Sequence, residues 1–236
     1  ISEPSDAEVY IKDLDSNNWI HRGNTPLEFK LNVGEREIKI RKFGYFESIT
    51  IIDVEEGMTD ELFIELEHDS QFQEGWPVQI TTAYPNESRY GGAFSVSDLN
   101  NDGAKETVVI TTTHDINTPY YADSVYVINS NGEFMPGWPK TLPEDGYVRE
   151  SATLADLDGD GDKEIIILAR YGFNSPNWPN SYIQIYNHDG TDFPGWPRLI
   201  NPSNQVVRVS VADINLDGNL DIIAGSGSSY GTVISC

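Results

Sequence analysis

The chain has 236 residues, 38% of them apolar, with five Trp and twelve Tyr, which is enough to bury a core and excludes wholesale disorder. Its formal net charge of −23 excludes nucleic acid as a partner, since phosphates need a basic patch, and excludes an anionic membrane surface equally. The charge favours cations as partners or a salty medium, although solubility by self-repulsion has the same sign.

Cys236 is the single cysteine, so neither an intrachain disulfide nor a cysteine-based zinc site can form, and the compartment is not legible from cysteine usage. No stretch approaches the length of a membrane-spanning apolar helix, so no membrane insertion is expected of this segment. Starting at Ile1 without Met, the sequence reads as mature or trimmed.

Helical periodicity is almost absent, and short runs rich in Val, Ile, Thr and Tyr are cut by Gly, Asn, Asp and Pro; the fold class is all-β. Residues 1–70 show alternating strands near 8–12, 27–32, 37–42, 47–53 and 61–67, with a turn at Asn32-Val33-Gly34, which fits a small five-strand sandwich. The junction to the rest is expected around His68 to Phe72, giving domains of 1–70 and 71–236.

From residue 71 onward the chain repeats itself. SVSDLNNDGAKETVVIT starts at Ser95, TLADLDGDGDKEIIILA at Thr153 and SVADINLDGNLDIIAGS at Ser210. The lead aspartates, Asp98, Asp156 and Asp213, are 58 and 57 residues apart. In phase with them run Gly75-Trp76-Pro77, Gly137-Trp138-Pro139 and Gly195-Trp196-Pro197, whose tryptophans we read as packing between repeats. One unit holds about four strands, the content of a propeller blade. In the first, strands are predicted at 92–98, 106–112 and 124–129, then a turn at Asn131-Gly132 and a fourth strand ending at Trp138. The second repeats this at 150–196, and the third starts near 206 and stops at Cys236, giving two full repeats and a partial third.

The acidic windows carry the chemistry. In the second, Asp156, Asp158 and Asp160 stand at positions 1, 3 and 5, Gly161 permits a sharp turn, Asp162 can offer its carbonyl and Glu164 can close the site. The first gives Asp98, Asn100, Asp102, the Ala104 carbonyl and Glu106; the third gives Asp213, Asn215, Asp217, the Asn219 carbonyl and Asp221. Numerous hard oxygen donors on a tight loop suit Ca²⁺, so up to three calcium ions are expected. An EF-hand is excluded, because its twelfth position would be Val109, Ile167 or Ala224, and strand-like runs follow each loop. The competing reading is that Asp, Asn and Gly are simply good hairpin residues; three loops in register favour the metal.

These residues resemble the FG-GAP/VCBS repeats, the calcium-loop β-propeller repeats of integrin α-subunits and many secreted microbial proteins, over about 71–236; Tyr90-Gly91-Gly92-Ala93-Phe94 is similar to the blade-opening signature. The resemblance implies blades around an axis with calcium at the hairpins between first and second strands. Residues 7–67 resemble a PEGA domain, a small β-module of microbial surface proteins, through Ala7-Glu8-Val9-Tyr10-Ile11, Thr25-Pro26-Leu27, Gly34 and Lys42-Phe43-Gly44-Tyr45, without the name-giving Pro-Glu-Gly-Ala string. Propellers usually need four or more blades, so either the chain is a fragment or other chains cover its open edges.

The expected function is a calcium-binding, non-catalytic structural or adhesion module, extracellular or on the cell surface. Its partners would be other surface proteins, glycans or copies of itself. One alternative is a subunit of an extracellular filament or surface layer whose neighbours cap the β-edges; another is an accessory region of a larger secreted hydrolase. Loop aromatics Tyr120, Tyr121, Tyr171, Phe173 and Trp178 suit partner contact or pack over blade tops. No nucleophile stands with an acid–base pair: Ser226 and Ser228 lack a strand-to-helix setting, and His21, His68, His114 and His188 are scattered. Asn86-Glu87-Ser88 is the sole N-glycosylation sequon.

Overall fold

A computed structural model describes residues 1–57, 59–78, 80, 87–115, 123–142, 146–148, 150–171, 181–200, 206–226 and 231–235, with backbone only for 87–92, 112–115, 146–147, 206–207, 226 and 231–235. All regular structure among the described residues is β. The chain divides into two compact units, Ile1–Gln79 and Ile80–Cys236.

The first unit holds β1 (Ser2–Glu3), β2 (Glu8–Lys12), β3 (Trp19–Asn24), β4 (Gly34–Arg41), β5 (Ser48–Val54) and β6 (Ile64–Glu65). An antiparallel sheet runs β3-β2-β4-β5, and β1 pairs with β6 in parallel. Val9 and Ile11 of β2 and Ile38 and Ile40 of β4 point to one face and are buried with Ala7, Ile64 and Leu66. The period of two is the consequence: one face of the sheet meets the core and the other meets water. On the wet face the ammonium of Lys39 lies 4.6 Å from the Trp19 ring centre and 5.3 Å from that of Tyr10, a cross-strand ladder joining β3, β2 and β4.

The strand expected at 27–32 is not formed. Leu27, Phe29 and Leu31 do pack against the core, but on irregular backbone, and the strand beside β2 is Trp19–Asn24 instead. The expected strand at 61–67 shrinks to Ile64–Glu65, although Leu62, Ile64 and Leu66 all face the same core.

The second unit opens with β7 (Glu87–Ser97), β8 (Glu106–Asp115), β9 (Ser124–Ile128) and β10 (Lys140–Thr141), which form an antiparallel sheet in the order β10-β9-β8-β7. Next come β11 (Gly146–Tyr147), β12 (Thr153–Ala155), β13 (Glu164–Tyr171), β14 (Ser181–Tyr186) and β15 (Arg198–Ile200); β11 and β12 both pair with β13, followed by β14 and β15. The last sheet is β16 (Val206–Ala212), β17 (Asp221–Ser226) and β18 (Gly231–Ser235). The first strand is irregular in every sheet of this unit: register shifts fall between Tyr90 and Ala93, where Gly91 and Gly92 stand, and between Val206 and Arg208, and in the middle sheet β11 and β12 are two separate strands paired with β13.

The three sheets stack face to face in series. Val108, Ile110, Val125 and Val127 of the first share a core with Ile165, Ile167, Ala169, Tyr182 and Tyr186 of the second. The other face of the second, Ile166, Leu168, Ile183 and Ile185, shares a core with Ile222 and Ala224 of the third. Burial on both faces explains why β13 reads as an unbroken apolar run where β2 alternates. Trp138 and Trp196 are both 7% exposed and sit in these two cores. The indole N–H of Trp138 donates to the His188 carbonyl at 2.9 Å, and its ring meets Tyr186 edge-on at 5.5 Å. The fourth strand does not end at Trp138 as expected: Phe134 bridges Ile128, the Gly-Trp-Pro turn follows, and pairing resumes with Lys140–Thr141 against Ser124 and Val125. The turn lifts the tryptophan out of the ladder and into the space between sheets.

Candidate metal loops

Each acidic window joins the first long strand of a sheet to the second, at β7–β8, β12–β13 and β16–β17. The three loops fold alike because the same positions satisfy the same backbone groups. The lead aspartate accepts from the glycine N–H five residues on: Gly103 to Asp98 at 3.0 Å, Gly161 to Asp156 at 3.1 Å, Gly218 to Asp213 at 2.9 Å. The fifth position accepts from the seventh: Ala104 to Asp102 at 2.8 Å, Asp162 to Asp160 at 2.9 Å, Asn219 to Asp217 at 2.8 Å. Such side-chain-to-backbone bonds are what Asx turns offer a chain with no ladder to join. Two residues per loop take positive φ: Asn101 with Gly103, Gly159 with Gly161, and Leu216 with Gly218.

Of the five expected ligand positions, the ninth is the one that is buried in every loop. Glu106, Glu164 and Asp221 are 1%, 2% and 4% exposed, at the start of β8, β13 and β17. Each accepts the N–H of the loop's second residue: Leu99 to Glu106 at 2.8 Å, Leu157 to Glu164 at 2.6 Å, Ile214 to Asp221 at 3.2 Å. One carboxylate oxygen ties the loop shut, which leaves the second oxygen for a ligand.

In the second loop, oxygens of Asp156, Asp158 and Glu164 lie within 4.8 Å of one another. Burial pushes the Glu164 carboxyl up to about 7 against the Leu157 N–H it accepts, and the charges of Asp158, Asp160 and Asp156 push in the same direction. Asp102 and Asp217 behave oppositely: the N–H groups of Ala104 and Asn219, then the amides of Asn100 and Asn215, hold them below the usual range. The donor set is oxygen only, and three carboxylates share a space that a small hard cation would neutralise, so these residues fit Ca²⁺. Asp156, Asp158 and Glu164 would hold it in the second loop.

Of the residues expected as ligands, the structure gathers those three by their carboxylates. Asp160 lies outside the gathered group, and the Asp162 side chain turns to His188, whose Nδ1 is 3.2 Å away. In the first and third loops the amides of Asn100 and Asn215 each donate to the fifth-position aspartate at 2.9 Å. Of the aromatics considered for partner contact, Tyr171 is half-buried with its ring 5.0 Å from that of Tyr182; Tyr120, Tyr121, Phe173 and Trp178 lie outside the described residues, as do Asn86, Ser228 and Cys236. Sequence reasoning passed over Lys163. Its N–H donates to the Leu99 carbonyl at 2.7 Å and its ammonium to the Ser97 hydroxyl at 2.6 Å, so the second loop is tied to the first. A cation beside two acidic loops was the available signal.

Comparison with known proteins fits this geometry. A family model for the FG-GAP-like repeat matches residues 98–167, and one for the PEGA domain matches residues 1–70. The two matches fall on the first two acidic loops and on the start of the chain, within the stretches where the two resemblances are read from sequence. Integrin alpha-3 of Cricetulus griseus is 34% identical over 86 residues, 34% of this chain and 8% of that protein. The Mus musculus integrin alpha-3 is 33% identical over the same length, with the same coverage of each. The match therefore spans only a small part of these curated relatives. Among solved structures, the exotype rhamnogalacturonan lyase YesX aligns over 95% of this chain and 42% of its own at 14% identity, with a TM-score of 0.43, too low a likeness to build on.

Proposed function

We propose that this chain is a calcium-stabilised, non-catalytic β-repeat module of an extracellular or cell-surface protein, binding partners rather than turning over a substrate. The observation that carries the reading is the shared loop: three acidic turns, each closed by a buried ninth-position carboxylate. Structural economy alone does not call for that residue. A buried carboxylate among other carboxylates is costly unless something neutralises it. A divalent cation at each loop removes the repulsion and locks the hairpin on which two stacked sheets depend.

The adhesive and extracellular part of the reading draws its support from the partial likeness to integrin alpha-3 and from the PEGA match. The non-catalytic part draws on the absence, in the sequence, of a nucleophile set beside an acid–base pair.

Calorimetric titration of Ca²⁺ into the metal-stripped chain tests the assignment. Three sites are expected, falling to two in Glu164→Gln, which keeps an oxygen for the Leu157 N–H but loses the charge. Absence of binding, or an unchanged count in the variant, would overturn it.

A further inference from the structure

The sheet of the first unit, β3-β2-β4-β5, has two edges, and the sequence treats them differently. An edge strand offers unpaired backbone groups to any passing strand, and natural proteins guard such edges with charges, bulges or Pro. β3 is guarded: its pairing with β2 breaks at a register shift that leaves Arg22 as the extra residue between His21 and Gly23. β5 is not. All seven of its residues pair with β4 in unbroken register. Its first five, Ser48-Ile49-Thr50-Ile51-Ile52, include no charge, glycine or proline, and all but Ser48 are β-branched, the composition that favours a strand.

The solvent face of the sheet changes character at the same edge. Ile49 and Ile51 lie opposite Lys39 and Glu37 and stand with them on the wet side, 51% and 64% exposed. Across β3, β2 and β4 that face is covered by the Lys39 ladder over Trp19 and Tyr10, and at β5 the cover stops. Charge is also left over there. Three carboxylates of this face have a basic partner: Glu37 with Lys12 at 2.6 Å, Glu8 with Arg41 at 2.7 Å and Glu47 with Lys39 at 3.9 Å. Asp53 lies directly opposite Glu35, both are exposed, and among the described residues neither forms an ion pair. Like charges directly opposite destabilise a pair of strands.

We infer that the free edge of β5 receives an extended segment of a partner protein as a fifth strand of this sheet. The segment that fits has apolar residues beside Ile49 and Ile51 and a Lys or Arg beside Asp53, at alternate positions of one strand. Its backbone joins the ladder, its apolar side chains cover the two isoleucines, and its cation neutralises a carboxylate that Glu35 repels. A second copy of this chain does not meet that description. Two β5 strands aligned antiparallel with Ile49 beside Ile51 set Glu47 of each copy against Asp53 of the other, like charge on like at both ends. The site lies within the first unit and does not rest on the calcium reading.

The probe is a short fluorescent peptide, blocked at both ends, with lysines first and last, valines beside a central threonine, and threonines between valine and lysine. Its symmetry lets it run in either direction along β5. Titrated into the full chain at physiological ionic strength and followed by anisotropy, it is expected to bind saturably, with hydrogen exchange slowed along Ser48–Val54. The same peptide with glutamates at its ends is expected to bind about tenfold more weakly. Ile51→Lys, which puts a guarding charge on the edge, is expected to abolish binding with unchanged circular dichroism. Asp53→Lys relieves the repulsion from Glu35 and is expected to remove the preference for lysine ends, an arm that stands even should Ile51→Lys fail to fold. Light scattering behind a sizing column is expected to show no association of copies through β5. Absence of binding, equal binding of the two peptides by the wild type, binding that survives Ile51→Lys, a preference that survives Asp53→Lys, or a dimer that Ile51→Lys abolishes would each overturn the inference.

Discussion

Glu164 does two jobs that pull against each other. It closes its loop by accepting the Leu157 N–H, for which burial is an advantage, and it carries a charge, for which burial is a cost. Its carboxyl is ordinarily half-titrated at 4.5, but burial and the neighbouring aspartates raise that to about 7 in the folded chain. An acid raised on folding takes up a proton between the two values, so without metal its contribution to stability is fully present below 4.5 and is lost as the pH climbs through 7. Cation binding needs the ionised form and runs the other way. Calcium titrations at pH 6 and pH 8 should therefore show tighter binding at the higher pH, and the preference should vanish in Glu164→Gln. Equal affinities at both pH values would contradict the role given to this carboxylate.

Strands and turns show what a period of two reports. The alternation at Leu27, Phe29 and Leu31 was legible and is real, for all three pack on the core. It reports burial, however, and not backbone pairing, so the segment read as a strand covers the core without joining a sheet. The strand actually beside β2, Trp19-Ile20-His21-Arg22-Gly23-Asn24, was missed because an edge strand with an ion-laden wet face has no apolar alternation to show. In the second unit the repeat made every long strand legible, since the stack buries both faces of its middle sheet. The acidic loops were legible by spacing alone, but the bond from the second-position N–H to the ninth-position carboxylate was not, because the residues that make it, Leu99, Leu157 and Ile214, look like ordinary strand ends. The Gly-Trp-Pro turn shows why its glycine is there. Gly137 stands at φ 86, and a Cβ on it would run into the Asp189 carbonyl oxygen of the next repeat. Gly137→Ala should cost about 1–3 kcal/mol through the backbone alone, with the clash in addition. Urea unfolding would read this as a lower midpoint at unchanged slope. An unchanged midpoint would mean that the turn can shift away from its neighbour.

At the scale of the molecule, the acidity of the repeats becomes intelligible once it is located. Of the 21 acids in residues 71–236, 11 lie in the three loop windows, so the acidity of the repeats is concentrated where a cation would be held rather than spread for solubility. Loops, buried carboxylates and stacked sheets then form one system: the loops join the strands that carry the interfaces, and Lys163 ties one loop to the next. Removing the cations should loosen the stack as a whole. The most direct measurement is thermal unfolding of the wild-type chain in millimolar Ca²⁺ and in chelator, followed by circular dichroism. A site held at a hundredfold excess over its dissociation constant stabilises by about 2.7 kcal/mol, which for a chain of this size raises the midpoint by roughly 5–10 °C per site. A rise of at least that size, reversed by chelator, is the predicted result; identical midpoints in the two buffers would contradict calcium at the loops.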